Sequence, residues 1–148
     1  MQLKRDEYKI PELTKTREVN ASAETVFKII DDDPNYAVWN IVINEVIVQG
    51  PGKYHFKTNV GDVYSTRMET IQNERIYAKQ EGSPITGFAY DIKPKGDKVE
   101  VDITVEFDDP NQEAILGMAG EVFADCLKNY AEYLESGGNP DEYDKKKK

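Results

Sequence analysis

Two side chains with chemical potential lie two residues apart in a run of alternating apolar positions: Arg67 and Glu69. A separation of two places both on one face of a β-strand. If that face looks into an apolar interior, the guanidinium is positioned to hold a carboxylate or enolate, and the carboxylate to exchange a proton. The plainer reading is that they pair with each other or meet water at the strand end, and a one-residue slip in register turns both outward. Nine tyrosines add aromatic faces that also carry a hydroxyl. Tyr54 and Tyr90 are expected to point inward. Tyr77 follows a Gln72-Asn73 turn whose length of two or three residues decides its side, and packing is the commoner role for a core tyrosine.

The remaining reactive types carry less. His55 is the only histidine and is expected to face away from the interior, which argues against acid–base work centred on it and rules out a histidine-based metal site. Asp31-Asp32-Asp33 lacks the spaced oxygen ligands and the glycine of a calcium loop, so it reads as a solvated helix end. Cys126 is a single cysteine on an apolar stripe, with no partner for an internal disulfide and the character of a small buried residue. Neither a metal nor a cofactor is expected.

Charge and composition narrow the partners. Twenty-eight acidic against nineteen basic residues give a net charge of -9, which repels nucleic-acid phosphates and anionic lipid surfaces. The lysines at 145–148 follow Asp141, Glu142 and Asp144, the pattern of a solvated tail. Residues 1–6 lack the apolar core of a secretory signal, and no apolar stretch approaches the roughly 20 residues that span a bilayer. A cytoplasmic protein with no nucleic-acid partner and no integral membrane association is expected. With 39% hydrophobic and 32% charged residues in 148, the chain suits one globular domain. Its bounds are read as residues 8–136, with a charged, disordered tail at 137–148 beginning at Gly137-Gly138-Asn139-Pro140.

The elements that must position these residues are read from periodicity. A short strand near 14–20 leads to Ser22, an N-cap, and to Val26, Phe27, Ile29 and Ile30, one apolar helical stripe. Pro34 ends that helix, and residues 36–40 allow only a turn or two more. From Ile43 onward, strand-like segments are divided by Pro51-Gly52, Gly61-Asp62, Gln72-Asn73, Gly82-Ser83-Pro84 and Gly96-Asp97. Residues 99–107 alternate without a fault, so one face is buried and the other wet. A two-residue hairpin at Gly96-Asp97 sets Ile92, Tyr90 and Phe88 opposite Val101, Ile103 and Val105 on the buried face. The same reasoning at Gly61-Asp62 groups Tyr54, Phe56, Thr58 and Val60 with Val63, Ser65, Arg67 and Glu69, the more apolar and hence inward face.

After Pro110 the period becomes helical, with Ile115, Ala119, Val122, Cys126 and Tyr130 in a stripe and Leu116, Phe123 and Leu127 beside it. Gly117 and Gly120 lower helix stability by up to about 1 kcal/mol each relative to alanine. With Met118 they suggest a roomy pocket wall, and close packing against the sheet accounts for the glycines equally well. A one-faced sheet and one long helix close only by curling together, an α+β plan of about seven antiparallel strands around a C-terminal helix, with two short helices after the first strand.

Three segments, Arg17-Glu18-Val19-Asn20-Ala21-Ser22-Ala23-Glu24-Thr25-Val26-Phe27, then Asp33-Pro34-Asn35-Tyr36-Ala37-Val38-Trp39-Asn40, then Gly87-Phe88-Ala89-Tyr90-Asp91-Ile92-Lys93-Pro94, occur in an order and spacing that carry a resemblance. The chain resembles the START and pollen-allergen (SRPBCC) helix-grip superfamily, and within it the polyketide cyclase/dehydrase-like branch. The resemblance implies a cavity between sheet and helix that takes lipids, polyketides, quinones or similar apolar molecules, with Trp39 closing one end of the sheet. It implies no invariant catalytic signature.

Three functions follow as expectations. The first is a carrier of a small apolar molecule, held by Tyr54, Phe56, Phe88, Tyr90 and Ile103 from the sheet and Met118 and Val122 from the helix, with Arg67, Glu69 and Tyr77 as polar contacts. The second is a cyclase, aromatase or dehydratase in which Arg67, Glu69 and a tyrosine meet in one cavity. The third is a protein-interaction domain similar to chaperone ATPase activators, with a filled cavity and an acidic binding surface. Apolar residues of the second strand such as Ile47 offer a surface for a homodimer.

Overall fold

The computed structural model describes residues 10–59 and 61–146. Strand β1 (Glu12–Val19) leads through helix α1 (Ala23–Asp31), a 3-10 turn (Asp33–Asn35) and helix α2 (Tyr36–Trp39) to a meander of six strands. These are β2 (Ile43–Gly50), β3 (Lys53–Thr58), β4 (Gly61–Ile71), β5 (Arg75–Glu81), β6 (Ile85–Lys95) and β7 (Lys98–Phe107), and helix α3 (Glu113–Glu135) follows. All pairings are antiparallel, and the open, curved sheet has the order β1-β7-β6-β5-β4-β3-β2. The α+β helix-grip plan read from the sequence is the observed one.

Local chemistry accounts for the element ends. Ser22 caps α1 by accepting from the Thr25 N–H, which satisfies a helix-end donor. Helix α1 stops at Asp31, three residues before Pro34, where the proline bars continuation. Strand β7 is buried at every second residue from Val99 to Phe107, and Ile92, Tyr90 and Phe88 pair with Val101, Ile103 and Val105, the register that the Gly96-Asp97 hairpin requires.

The β3–β4 hairpin turns earlier than expected. Thr58 pairs with Gly61, Phe56 with Val63 and Tyr54 with Ser65, so the turn lies two residues earlier and each partner four positions from the expected register. An even shift preserves the faces, so Tyr54, Phe56, Thr58, Val63 and Ser65 still look inward. Val60, expected among them, lies outside the described residues.

The core gathers where α1, α2 and the second half of α3 meet the sheet. Trp39, Ile30, Ile103, Leu127 and Phe107 are each less than 2% exposed. Trp39 stacks on Tyr130 at 6.4 Å and meets Tyr36 edge-on at 5.2 Å, so it is a packing residue at one end of the sheet.

The segment after α3 departs from the expected free tail. Gly137, with φ 96, closes the helix: the N–H of Gly138 donates to the Tyr133 carbonyl and that of Gly137 to Leu134, the two bonds of a Schellman cap. The chain then returns to the domain, where Tyr143 packs on Tyr130 at 4.7 Å and on Tyr133 at 4.9 Å. Lys145 Nζ donates to the carbonyls of Ala37 (2.6 Å), Asn40 (3.1 Å) and Ile43 (2.7 Å). Three converging acceptors from the end of α2 and the start of β2 explain why this lysine does not stay in water. Among the described residues no helix is long and apolar enough to cross a membrane.

Candidate functional site

The inward faces of β3 to β6 and the first half of α3 do not meet, and a space of about 510 Å³ remains between them. Phe56, Val63 and Ser65 form one wall, Ile76, Ala78, Phe88 and Tyr90 a second, and Leu116, Ala119 and Phe123 of α3 the third. Asp33, Tyr36, Asn40 and Ile43 close one end. Asn59, Pro84 and Ile115 line it too and are exposed, so the space opens to solvent between two hairpins and the start of α3.

Of the residues expected to face a ligand, Phe56, Phe88 and Tyr90 line this space. Tyr54 shares their face and stacks on Phe56 at 6.3 Å, two residues back along β3 and outside the lining. Ile103 is 1% exposed beneath its neighbours in β7, a core position. Met118 and Val122 are 70% and 38% exposed, on the solvent side of α3. The buried face of α3 is instead Leu116, Gly120, Ala124, Leu127, Tyr130 and Ala131, about one residue round from the expected stripe. Small side chains set this rotation: a Cβ on Gly120 would come within 3.2 Å of Lys15 Cγ and 3.4 Å of Leu13 Cδ1 in β1. Gly120 therefore serves close packing, and neither glycine of α3 lines the space between sheet and helix.

Arg67 and Glu69 part company at a β-bulge. Arg67 pairs with Ala78 and Glu69 with Tyr77, with Met68 unpaired between them. The extra residue turns Glu69 to the outer face, where it accepts from Arg75 Nε at 2.8 Å. Tyr77 lies on that same outer face and donates its hydroxyl proton to Glu106 Oε1 at 2.6 Å. The bond to Glu106 pushes its pKa up to about 12. Gly87 makes that bond feasible, because a Cβ there would overlap the Glu106 carboxylate and the Tyr77 hydroxyl.

Arg67 keeps its inward orientation and both its terminal nitrogens are engaged. Its Nη1 donates to Asp31 Oδ1 and Thr70 Oγ1, both at 3.0 Å, and its Nη2 to the Asp31 carbonyl at 3.4 Å and to Asp33 Oδ1. Burial works against the Arg67 charge, and the two carboxylates more than reverse that, leaving its pKa raised. Asp33 is 5% exposed. Desolvation pushes its carboxyl up to about 6, against the attraction of Arg67. Beside it Tyr36 and Tyr90 are buried, their rings edge-on at 6.5 Å, with burial the main cause of their raised pKa values. Tyr36 also donates to the Ile30 carbonyl.

The residues missed from sequence are Asp33, Tyr36, Asn40, Gln80 and the α3 face through Leu116, Ala119 and Phe123. Asp33 read as part of a solvated helix end and residues 36–40 as a short helix, and Arg67, far along the chain, draws Asp33 inside. Ser65 stood in the inward set, but nothing local marked it as polar lining. Among the described residues, no group of three or more His, Cys, Asp or Glu side chains is placed to hold a metal ion. Cys126 is half-buried, with its thiol pKa raised by burial.

No curated protein matches the chain by sequence. Solved structures share its fold. A START superfamily protein from Mycobacterium smegmatis superposes with a TM-score of 0.74 at 21% identity, over 83% of this chain and 98% of that one. The Zhui aromatase/cyclase from Streptomyces sp. R1128 gives 0.73 at 15%, over 88% and 100%. The Aha1 dimer from Colwellia psychrerythraea gives 0.69 at 15%, over 88% and 100%. A family model described as "Polyketide cyclase / dehydrase and lipid transport" matches residues 11–135, and together with the seven-stranded grip around α3 this places the chain in that family.

Proposed function

We propose that this protein binds and carries a small, largely apolar molecule in the space between the sheet and α3. The observation that carries the reading is the cavity itself, about 510 Å³ and mainly apolar, with one side open, within the range of small-molecule sites. The family match supports the same ligand class. A cyclase built on Arg67, Glu69 and a tyrosine has less support, because Glu69 and Tyr77 face outward and Arg67 is already bonded to two carboxylates. A protein-interaction domain calls for a cavity filled by its own side chains, and this one is not. A cytoplasmic location belongs to the same proposal.

Native mass spectrometry of freshly purified protein, followed by organic extraction, tests it. A co-purifying apolar molecule supports the carrier reading and names its class. A clean apo mass with no thermal shift across lipids, quinones and aromatic ketones counts against it. The same mass gives the oligomeric state, where a second copy across the edge strand β2 is the expected partner.

A further inference from the structure

Buried polar groups in folded proteins nearly always have hydrogen-bond partners. Two buried residues lining the cavity carry donors without a protein partner among the described residues, and their donor atoms are not sealed off. Asn40 is 3% exposed; its Oδ1 accepts from the Val42 N–H at 3.0 Å, while its Nδ2, a donor of two hydrogens, has no partner among the described residues. Ser65 is 3% exposed, and its hydroxyl has none either. Gln80 sits opposite Ser65 on β5 and lines the same wall, its amide also without a partner. Donors are therefore on offer at two places: the closed end, and mid-wall across β4 and β5.

Charge sets the second condition. Asp33 is the single charged residue among those lining the cavity. The cations near this end are both committed, Arg67 to Asp31 and Asp33 and Lys145, behind the wall, to the carbonyls of Ala37, Asn40 and Ile43, so the charge that faces the cavity is the Asp33 carboxylate. A ligand carboxylate entering it meets like charge and no free cation.

We propose that the ligand is uncharged and presents at least two separated oxygen acceptors, one to Asn40 and one to the Ser65–Gln80 pair, and that carboxylate-bearing apolar molecules are refused. Asn40 and Ser65 are then specificity-determining contacts. The proposal rests on the carrier reading, and the test separates the two. Four probes of one shape suffice: naphthalene, 2-acetylnaphthalene, 6-acetyl-2-naphthol and 2-naphthoate, titrated into the full chain near neutral pH. The ketone and the carboxylate are close in size and differ in charge.

Affinity should rise by about three- to tenfold with each added oxygen, and naphthoate should bind more weakly than naphthalene. Ser65→Ala removes no hydrogen bond seen among the described residues. It should erase the gain from one oxygen, read as the ratio of ketone to naphthalene affinity on the same variant, and Asn40→Leu should erase the other. Naphthoate binding as well as the ketone, equal affinities for hydrocarbon and ketone, or no effect of Ser65→Ala would each overturn the proposal with the carrier reading intact. Failure of all four probes to bind would overturn both.

Discussion

The two halves of α3 do different work. The first half lies over the cavity: Leu116, Ala119 and Phe123 line it, Ile115 and Met118 are 65% and 70% exposed, and its side-chain tie to β1 is the ion pair of Glu121 with Arg17. The second half is embedded. Leu127 and Ala131 are 1% and 0% exposed, Tyr130 lies between Trp39 and Tyr143, and Glu132 and Glu135 accept from the N–H groups of Asn20 and Ser22. One helix thus holds the fold together at one end and leaves the other free to border a binding space. Stability and access are separated along its length.

The sharpest way to break that comparison is a matched pair of truncations. Leu127→Ala should cost about 3 to 5 kcal/mol, because the dense surroundings cannot collapse into the void. Leu116→Ala enlarges a space that already exists and should cost about 2 kcal/mol, near the low end for such changes. Urea unfolding of both variants decides it; equal costs would mean that the two halves are held alike.

The next effect concerns the closed end of the cavity. Burial raises the Asp33 pKa from 3.8 to about 6 in the folded state, so between those values the native protein holds a proton that the unfolded chain releases. The group's contribution is fully present below about pH 4 and is lost as the pH rises through 6. The difference amounts to something on the order of 2 to 3 kcal/mol. Asp33→Asn removes the titration, and the stability of the variant relative to the parent should climb across pH 4 to 6. A flat difference over that window would show that Arg67 offsets the burial of the carboxylate.

A smaller effect belongs to the strap at the other end of the chain. Lys145→Met keeps much of the aliphatic stem and removes the donor to three carbonyls. A loss of about 1 to 2 kcal/mol is expected, with faster hydrogen exchange confined to residues 36–43. Loss of stability without that local exchange would mean that the strap does not hold α2.

How much of this was legible in the sequence follows from the range of each interaction. The β6–β7 pairing could be read because alternation and a Gly-Asp turn are local and agree with each other. The faces of β3 and β4 could be read although the turn was misplaced by two residues, since the resulting register error of four preserves the period. The bulge at Met68 could not, because no glycine or proline marks it, and that one residue moved Glu69 out of the candidate site. The rotation of α3 depends on how closely Gly120 approaches Lys15 and Leu13, a distance that helical periodicity does not encode. Asp33 and Lys145 were read as solvated charges from their neighbours in sequence. Their actual partners lie 34 positions away for Asp33 and 102 to 108 for Lys145.

The smallest change in stability offers the cleanest view of access. Ile115 and Met118 lie one helical turn apart on the free half of α3 and are about equally exposed, but Ile115 alone lines the opening. Replacing either by serine should change stability by no more than about 0.5 kcal/mol, since neither supports the core. Ile115→Ser should nevertheless alter ligand exchange, because it removes an apolar side chain from the rim that an apolar molecule must cross. Met118→Ser should leave exchange at the parent rate. Stopped-flow release of a fluorescent naphthyl ketone from both variants measures this directly. Equal release rates would place the route of entry elsewhere, at the hairpin carrying Pro84 or the one carrying Asn59, and would leave the free half of α3 as a static wall.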